Sequence, residues 1–176
     1  YEKLLKKNPG RLDYFLYLVK CNQQLEQFEM AQNLLDQKLN SPRVIPQLYV
    51  ELGHNYSLQD KDSLAAVAYG QAVDFALDKT VYSYSVGKAL EEYSLLDQAA
   101  DLYEQVMQRD PNRNFNAQLA RIYGEQGKLE KMFNAYLDLI VKTPSYQSIA
   151  KRNFSMYVNE DSQSEGNQAL RKVLLK

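Results

Sequence analysis

Residues 48–77 read LYVELGHNYSLQDKDSLAAVAYGQAVDFAL. In the first half, Tyr49, Leu52, Gly53 and Tyr56 stand three and four apart, the interval that gathers side chains on one face of an α-helix. The polar run Gln59-Asp60-Lys61-Asp62 interrupts this pattern. In the second half the interval resumes with Ala65, Tyr69 and Ala72. Large residues stand in the first segment and small ones in the second, with an aromatic between them. That is the composition of two helices crossing closely, where a small residue on one makes room for a large one on the other.

The pattern returns along the chain at a fixed interval. The small-residue slot of the second helix is filled by Ala31, Ala65, Ala99 and Met132, in steps of 34, 34 and 33. Four residues later the aromatic slot reads Tyr1, Leu35, Tyr69, Tyr103, Tyr136 and Leu170, in steps of 34, 34, 34, 33 and 34. The Leu-Gly slot reads Leu18-Val19, Leu52-Gly53, Val86-Gly87 and Leu119-Ala120, while Pro9, Pro111 and Pro144 stand at equivalent repeat ends and Pro42 comes one residue early.

These slots resemble the tetratricopeptide repeat (TPR), an aromatic-x2-Leu-Gly-x2-Tyr segment followed by Ala-x3-aromatic at a 34-residue period. The resemblance covers nearly the whole chain. It implies an all-α fold, a right-handed α-α superhelix of antiparallel helix pairs, with each repeat burying its apolar face only against its neighbours. Residues 1–10 then read as the tail of a preceding repeat, and 12–43, 46–78, 79–111 and 112–144 as four repeats. Residues 145–176 form a degenerate fifth, in which Phe154 and Tyr157 hold the first helix, Leu170 and Val173 the second, and Gly166 replaces the usual alanine. Because Tyr1 falls in the aromatic slot of a helix whose first half would precede it, the chain reads as a piece of a longer array. The Gln-, Asn- and Tyr-rich composition with irregular repeats looks like that of a bacterial one.

The totals narrow the function. The chain has 176 residues, 45% hydrophobic and 24% charged, enough apolar material for a packed core. Its 21 basic and 22 acidic residues leave a net charge of −1 and no broad field for a polyanion, which argues against nucleic-acid binding. No apolar run approaches the ~18 residues that span a bilayer. The one cysteine, Cys21, reads as packing and does not choose between bacterial cytoplasm and periplasm.

Catalytic constellations are missing from the sequence. His54 is the sole histidine, so no His-His metal pair, Cys-His dyad or serine triad can be assembled within it. The seven glycines are scattered singly rather than gathered into a phosphate loop. The expectation is a chain that is no enzyme and holds no cofactor or metal. At least seven of the 14 tyrosines (Tyr1, Tyr49, Tyr56, Tyr69, Tyr103, Tyr123, Tyr136) fall in packing slots and read as core fillers with a polar tip. Gly127 falls where the turn within a repeat calls for positive φ.

What the resemblance offers is a surface. In the family, first helices line the concave side of the superhelix, where an extended peptide or a partner helix lies. The fifth residues of these helices are Leu16, Val50, Tyr84 and Ala117; the ninth are Lys20, His54, Lys88 and Arg121. Fifth and ninth positions share a helical face, so the repeats present an apolar row beside a basic one. The expected partner is a protein or peptide with acidic groups next to apolar side chains, held more strongly below pH ~6.5 if His54 takes part. Gln23, Gln24, Glu91, Glu92 and Glu125 add a polar edge. The Lys/Asn/Arg clamp that some family members close on a chaperone's C-terminal carboxylate is absent. Its slots hold Leu16-Tyr17, Val50-Glu51, Tyr84-Ser85 and Ala117-Gln118, and only Lys151-Arg152 offers basic residues there. The alternative reading is a structural spacer or self-association module within a larger multi-repeat protein.

Overall fold

The computed structural model describes residue 3 and residues 7–42 and 45–175. Tyr1, and with it most of the helix tail expected before Asn8, lies outside the described residues. Among those described, all regular structure is helical: ten α-helices and two short 3-10 turns, with no strand. The fold class is all-α, built from helix pairs that recur at the period read in the sequence. The helices gather into two compact units, Tyr1–Ser94 and Leu95–Lys176. The boundary falls in the turn between the two helices of the expected 79–111 repeat.

The first unit holds α1 (Leu12–Gln24), α2 (Phe28–Leu39), α3 (Gln47–Ser57), α4 (Asp62–Asp78) and α5 (Ser83–Glu92). Each helix packs on the next, and α5 also packs on α3. The turns joining α1 to α2 and α3 to α4 are too short for anything but antiparallel pairing. Phe15, Val19, Ala31, Leu35, Leu48, Leu52 and Ala68 form one buried cluster, with Leu12, Leu16, Leu34 and Tyr56 against it. A close approach falls at Gly53. A Cβ there would stand 2.4 Å from Cε1 of Tyr69, so glycine on α3 is what lets the tyrosine of α4 lie flat against it.

The second unit holds α6 (Leu96–Arg109), α7 (Asn116–Glu125), α8 (Leu129–Lys142), α9 (Gln147–Phe154) and α10 (Glu165–Leu174). Here α7 and α8 form the closest pair, and α6, α9 and α10 pack on one or other of them. Aromatic rings fill the core: Tyr103 stacks on Phe115 at 4.6 Å between centroids, and Phe154 meets Phe133 edge-on at 4.8 Å. Tyr69, Tyr103, Tyr123 and Tyr136 are all buried, as the packing slots require, while Tyr49 and Tyr56 are half-buried.

The turns inside the repeats share one backbone device. Glu26, Asp60, Ser94 and Gly127 all adopt positive φ, at 57, 57, 58 and 67°, and their numbers step by 34, 34 and 33. This left-handed residue ends the first helix and lets following amides cap it. Gln27 N–H donates to Asn22 O at 2.8 Å, Lys61 N–H to Tyr56 O at 3.1 Å and Lys128 N–H to Tyr123 O at 2.8 Å, the six-to-one bond of a Schellman cap. Only the fourth turn uses glycine. The other three hold the same conformation with side chains that pay for it in backbone strain.

The C-terminal repeat departs from the expected pair. Helix α9 spans only 8 residues and ends at Phe154, so Tyr157 lies beyond it rather than holding it. Gly166, which replaces the usual alanine, stands at a close approach. A Cβ there would stand 1.9 Å from the Tyr157 carbonyl oxygen, so only glycine lets α10 reach its seat. Ser164 caps α10 by accepting from the Asn167 amide, and Asn167 Nδ2 donates to the carbonyls of Asn159 and Asp161 at 2.7 and 2.6 Å.

Candidate functional site

The first helices of the first unit, α1, α3 and α5, bring two members of the expected basic row to one region. At the ninth slot, Lys20 of α1 and His54 of α3 meet around a residue that the slots did not single out, Tyr93, which follows α5. The Tyr93 and His54 rings are stacked, with centroids 3.8 Å apart and planes 16° from parallel. Lys20 Nζ stands 5.7 Å from the centre of the Tyr93 ring, within cation–π range, and is ion-paired with Glu92. The Tyr93 hydroxyl donates to the carboxylate of Glu51. Lys20, Glu51, His54 and Glu92 thus form a cage around one phenol ring.

Glu51 is the unusual member. It is 2% exposed, on a helix whose other buried residues are Leu48, Val50, Leu52, Gly53 and Asn55. Burial raises its pKa above the ordinary carboxyl value, while the Tyr93 hydrogen bond and the Lys20 charge pull the other way. Gln23 Nε2 of α1 donates to the Glu51 carbonyl at 3.4 Å and ties the two helices at the same point. Burial beside Glu51 also drives the Tyr93 hydroxyl far above its ordinary range, so it stays a hydrogen-bond donor.

The structure separates the expected row members by exposure. Val50 is fully buried and Leu16 packs against the core cluster, so neither offers a free apolar face. Tyr84 is 51% exposed, and Lys88 on the same helix is exposed as well. In the second unit Ala117 is half-buried and Arg121 is exposed, paired with Glu125 at 2.9 Å. His54 does not extend the basic row at neutral pH. Burial, followed by the Lys20 charge, lowers its pKa below the ordinary 6.5, with Glu92 opposing. Its part is that of a flat neutral ring.

The second unit carries a smaller echo of the cage. The Tyr123 hydroxyl donates to Glu104, and Lys131 lies 4.8 Å from the centre of the Tyr123 ring and 3.5 Å from the Glu104 carboxylate. Tyr123 fills a packing slot, so this set closes a core edge. A groove of about 580 Å³ runs between α8 and α10, lined by Lys128, Lys131 and Lys172 with Glu130 and Glu165. Lys172 pairs with Glu130 and Lys128 with Asp97, which leaves the groove a balanced surface. Among the described residues there is no cluster of His, Cys, Asp or Glu arranged for a metal, and no helix long and apolar enough to cross a membrane.

Sequence reasoning reached Lys20, His54 and Glu92 but not the residue that joins them. Tyr93 lies one place before the left-handed turn residue, a slot that holds Leu25, Gln59 and Gln126 in the other repeats. A tyrosine there, following two glutamates, was the available signal.

No protein-family model matches the chain. Its sequence is 28% identical, over 114 residues, to the general transcriptional corepressor ssn6 of Schizosaccharomyces pombe. The match covers 64% of this chain and 10% of that protein's length. Two solved structures of nearly identical TPR-like repeats of a Podosopora anserina kinesin light chain are similar over 95% of the chain. They share 19% and 18% sequence identity, cover 94% and 96% of those chains, and have a TM-score of 0.42 in each case. The bacterial source suggested by composition has no counterpart among these.

Proposed function

We propose that the chain is a non-enzymatic scaffold that binds a peptide or partner protein along the exposed side of its first helices. One observation carries this reading. Lys20 of α1, His54 of α3 and Glu92 of α5 gather around Tyr93, with Lys20 and His54 at slots where the repeat pattern leaves a face open. Tyr84 and Lys88 are exposed beside them. A helical-repeat stack builds its core from neighbours alone, so residues in these slots are available for a partner. The similarity to part of a corepressor supports a protein partner over a small molecule.

The partner presents acidic groups to Lys88 and apolar side chains to Tyr84, both exposed on α5. Leu16 and Val50 supply the floor on which the row stands. The test is a paired capture from lysate of the source organism. One bait is the chain as it stands, and the other carries Tyr84→Ala and Lys88→Ala with its helical circular dichroism unchanged. Proteins held by the first and lost from the second support the reading; identical captures overturn it.

A second reading, self-association through the second helices, rests on α4. This helix buries Ala65, Ala68, Tyr69, Ala72 and Ala76, and also exposes Leu64 and Val67 one turn apart. Sedimentation at rising concentration separates the two. Association that Leu64→Gln with Val67→Gln abolishes favours the spacer, and a monomer throughout favours the scaffold.

A further inference from the structure

The cage around Tyr93 has the chemistry of a binding site whose ligand is already in place. Its blind end is the buried carboxylate of Glu51, which receives the phenol hydroxyl. One wall is the His54 ring, parallel to the phenol at 3.8 Å. The outer wall is the Lys20–Glu92 ion pair, whose side chains are 29% and 54% exposed, so the enclosure opens to solvent on that side. The walls come from three successive first helices, and Lys20 and His54 are ninth-slot residues of the open face.

Packing of the repeats does not call for this arrangement. The slot of Tyr93 holds Leu25, which is 68% exposed, in the first repeat, and glutamine in two others. Tyr93 follows the last residue of α5 and precedes the left-handed Ser94, so it stands in the turn and not within the helix. The cage also discriminates. A ring that takes the place of the phenol covers Glu51 from water again, so it must bring a donor to the same depth or leave a buried acceptor unpaired, which is costly. A phenylalanine would fill the space and leave the carboxylate unsatisfied.

Resting on the scaffold reading above, we propose that the cage is a recognition subsite for a tyrosine side chain, occupied in the free chain by its own Tyr93. A tyrosine of the bound segment replaces it there. Tyr93 is then an internal competitor that sets both the affinity and the choice of partner.

The first test uses a small phenol. Tyr93→Gly empties the cage, and p-cresol added to it is expected to raise its melting temperature in a saturable way, with no such effect on the unaltered chain. Toluene, which has the same ring without the hydroxyl, is expected to bind at least about tenfold more weakly, as a buried bond to a carboxylate implies. Equal effects of the two compounds, or none from p-cresol, overturn the proposal. If Tyr93→Gly unfolds, recovery of the helical signal by p-cresol and not by toluene supports it, and no recovery overturns it. The second test selects a random twelve-residue peptide library on the unaltered chain and on Glu51→Ala. Tyrosine enriched at one position on the first and lost on the second supports the subsite. Binders without that tyrosine overturn the subsite and leave the scaffold standing, whereas a library with no binders overturns both.

Discussion

Two kinds of residue carry cost in this chain, and both can be measured. Glu26, Asp60 and Ser94 hold a left-handed backbone that glycine adopts freely, and Gly127 shows the alternative in the fourth turn. Asp60→Gly is expected to stabilise the chain by about 0.5–1 kcal/mol and Gly127→Ala to destabilise it by about 1 kcal/mol, read as shifts in urea midpoint. Equal midpoints for both variants would mean that the turn relaxes and stores no strain. Glu51 is costly for a different reason. Its folded pKa is raised, so between the ordinary value of 4.5 and the raised one the folded chain holds the proton more tightly than the unfolded chain. By linkage its contribution is most favourable below 4.5 and is lost as pH rises through that window. Lys20, His54, Glu92 and Tyr93 share its surroundings, so the clean readout is the stability difference between the chain and Glu51→Gln. That difference is expected to move in favour of Glu51 as pH falls from 7 to 5. A constant difference would show that Glu51 titrates normally. Gly127 was legible in the sequence because glycine advertises positive φ. Glu26 was not, since nothing in a glutamate marks a left-handed backbone except its place in the period, and Asp60 only weakly, through the modest preference of aspartate for that region.

At the scale of elements, the opposed effects at Gly166 decide what terminates the fold. Helix propensity alone says that Gly166→Ala stabilises α10 by about 1 kcal/mol. The structure says the reverse: the new Cβ would stand 1.9 Å from the Tyr157 carbonyl, an atom of the backbone that a rotamer change cannot move. Overpacking of this kind costs typically 1–3 kcal/mol, so the steric effect wins. The expected outcome is a net loss of about 1 kcal/mol or more, with α10 undocked from α8 and faster amide exchange over 165–174. A gain in stability from Gly166→Ala would return this repeat to the simple expectation. The first eight helices follow from spacing because their apolar residues recur in the same slots. The last pair does not, because α9 stops at Phe154 and the chain reaches α10 through a turn whose order comes from Asn167 and not from a hydrophobic pattern. The cage escaped the sequence for a related reason: Tyr93 acts across helices from a slot that holds Leu25, Gln59 and Gln126 in the other repeats, and periodicity reports only what recurs.

Across the whole molecule, a stack held by neighbour contacts opens unevenly, and the distribution of buried side chains says where. The α3–α4 pair buries Leu48, Val50, Leu52, Ala65, Ala68, Tyr69, Ala72 and Ala76, with Gly53 allowing a close crossing. At the other end α9 buries only Ala150, and α10 buries Gly166, Ala169 and Val173. Breaking the C-terminal helices therefore removes far less apolar surface from contact than breaking the α3–α4 pair, and the free energy of local opening scales with that surface. The polar stretch Asn159 to Gln163 is exposed throughout, and Asn167 holds it through two bonds at the surface, each of modest net worth in water. Amide exchange is thus expected to be fastest from Asn159 onward and slowest over Ala65 to Phe75, in the native chain at neutral pH. Protection beyond Asn159 equal to that of Ala65 to Phe75 would mean that the ends open only with the whole, and the neighbour-by-neighbour account of this stack would fail with it.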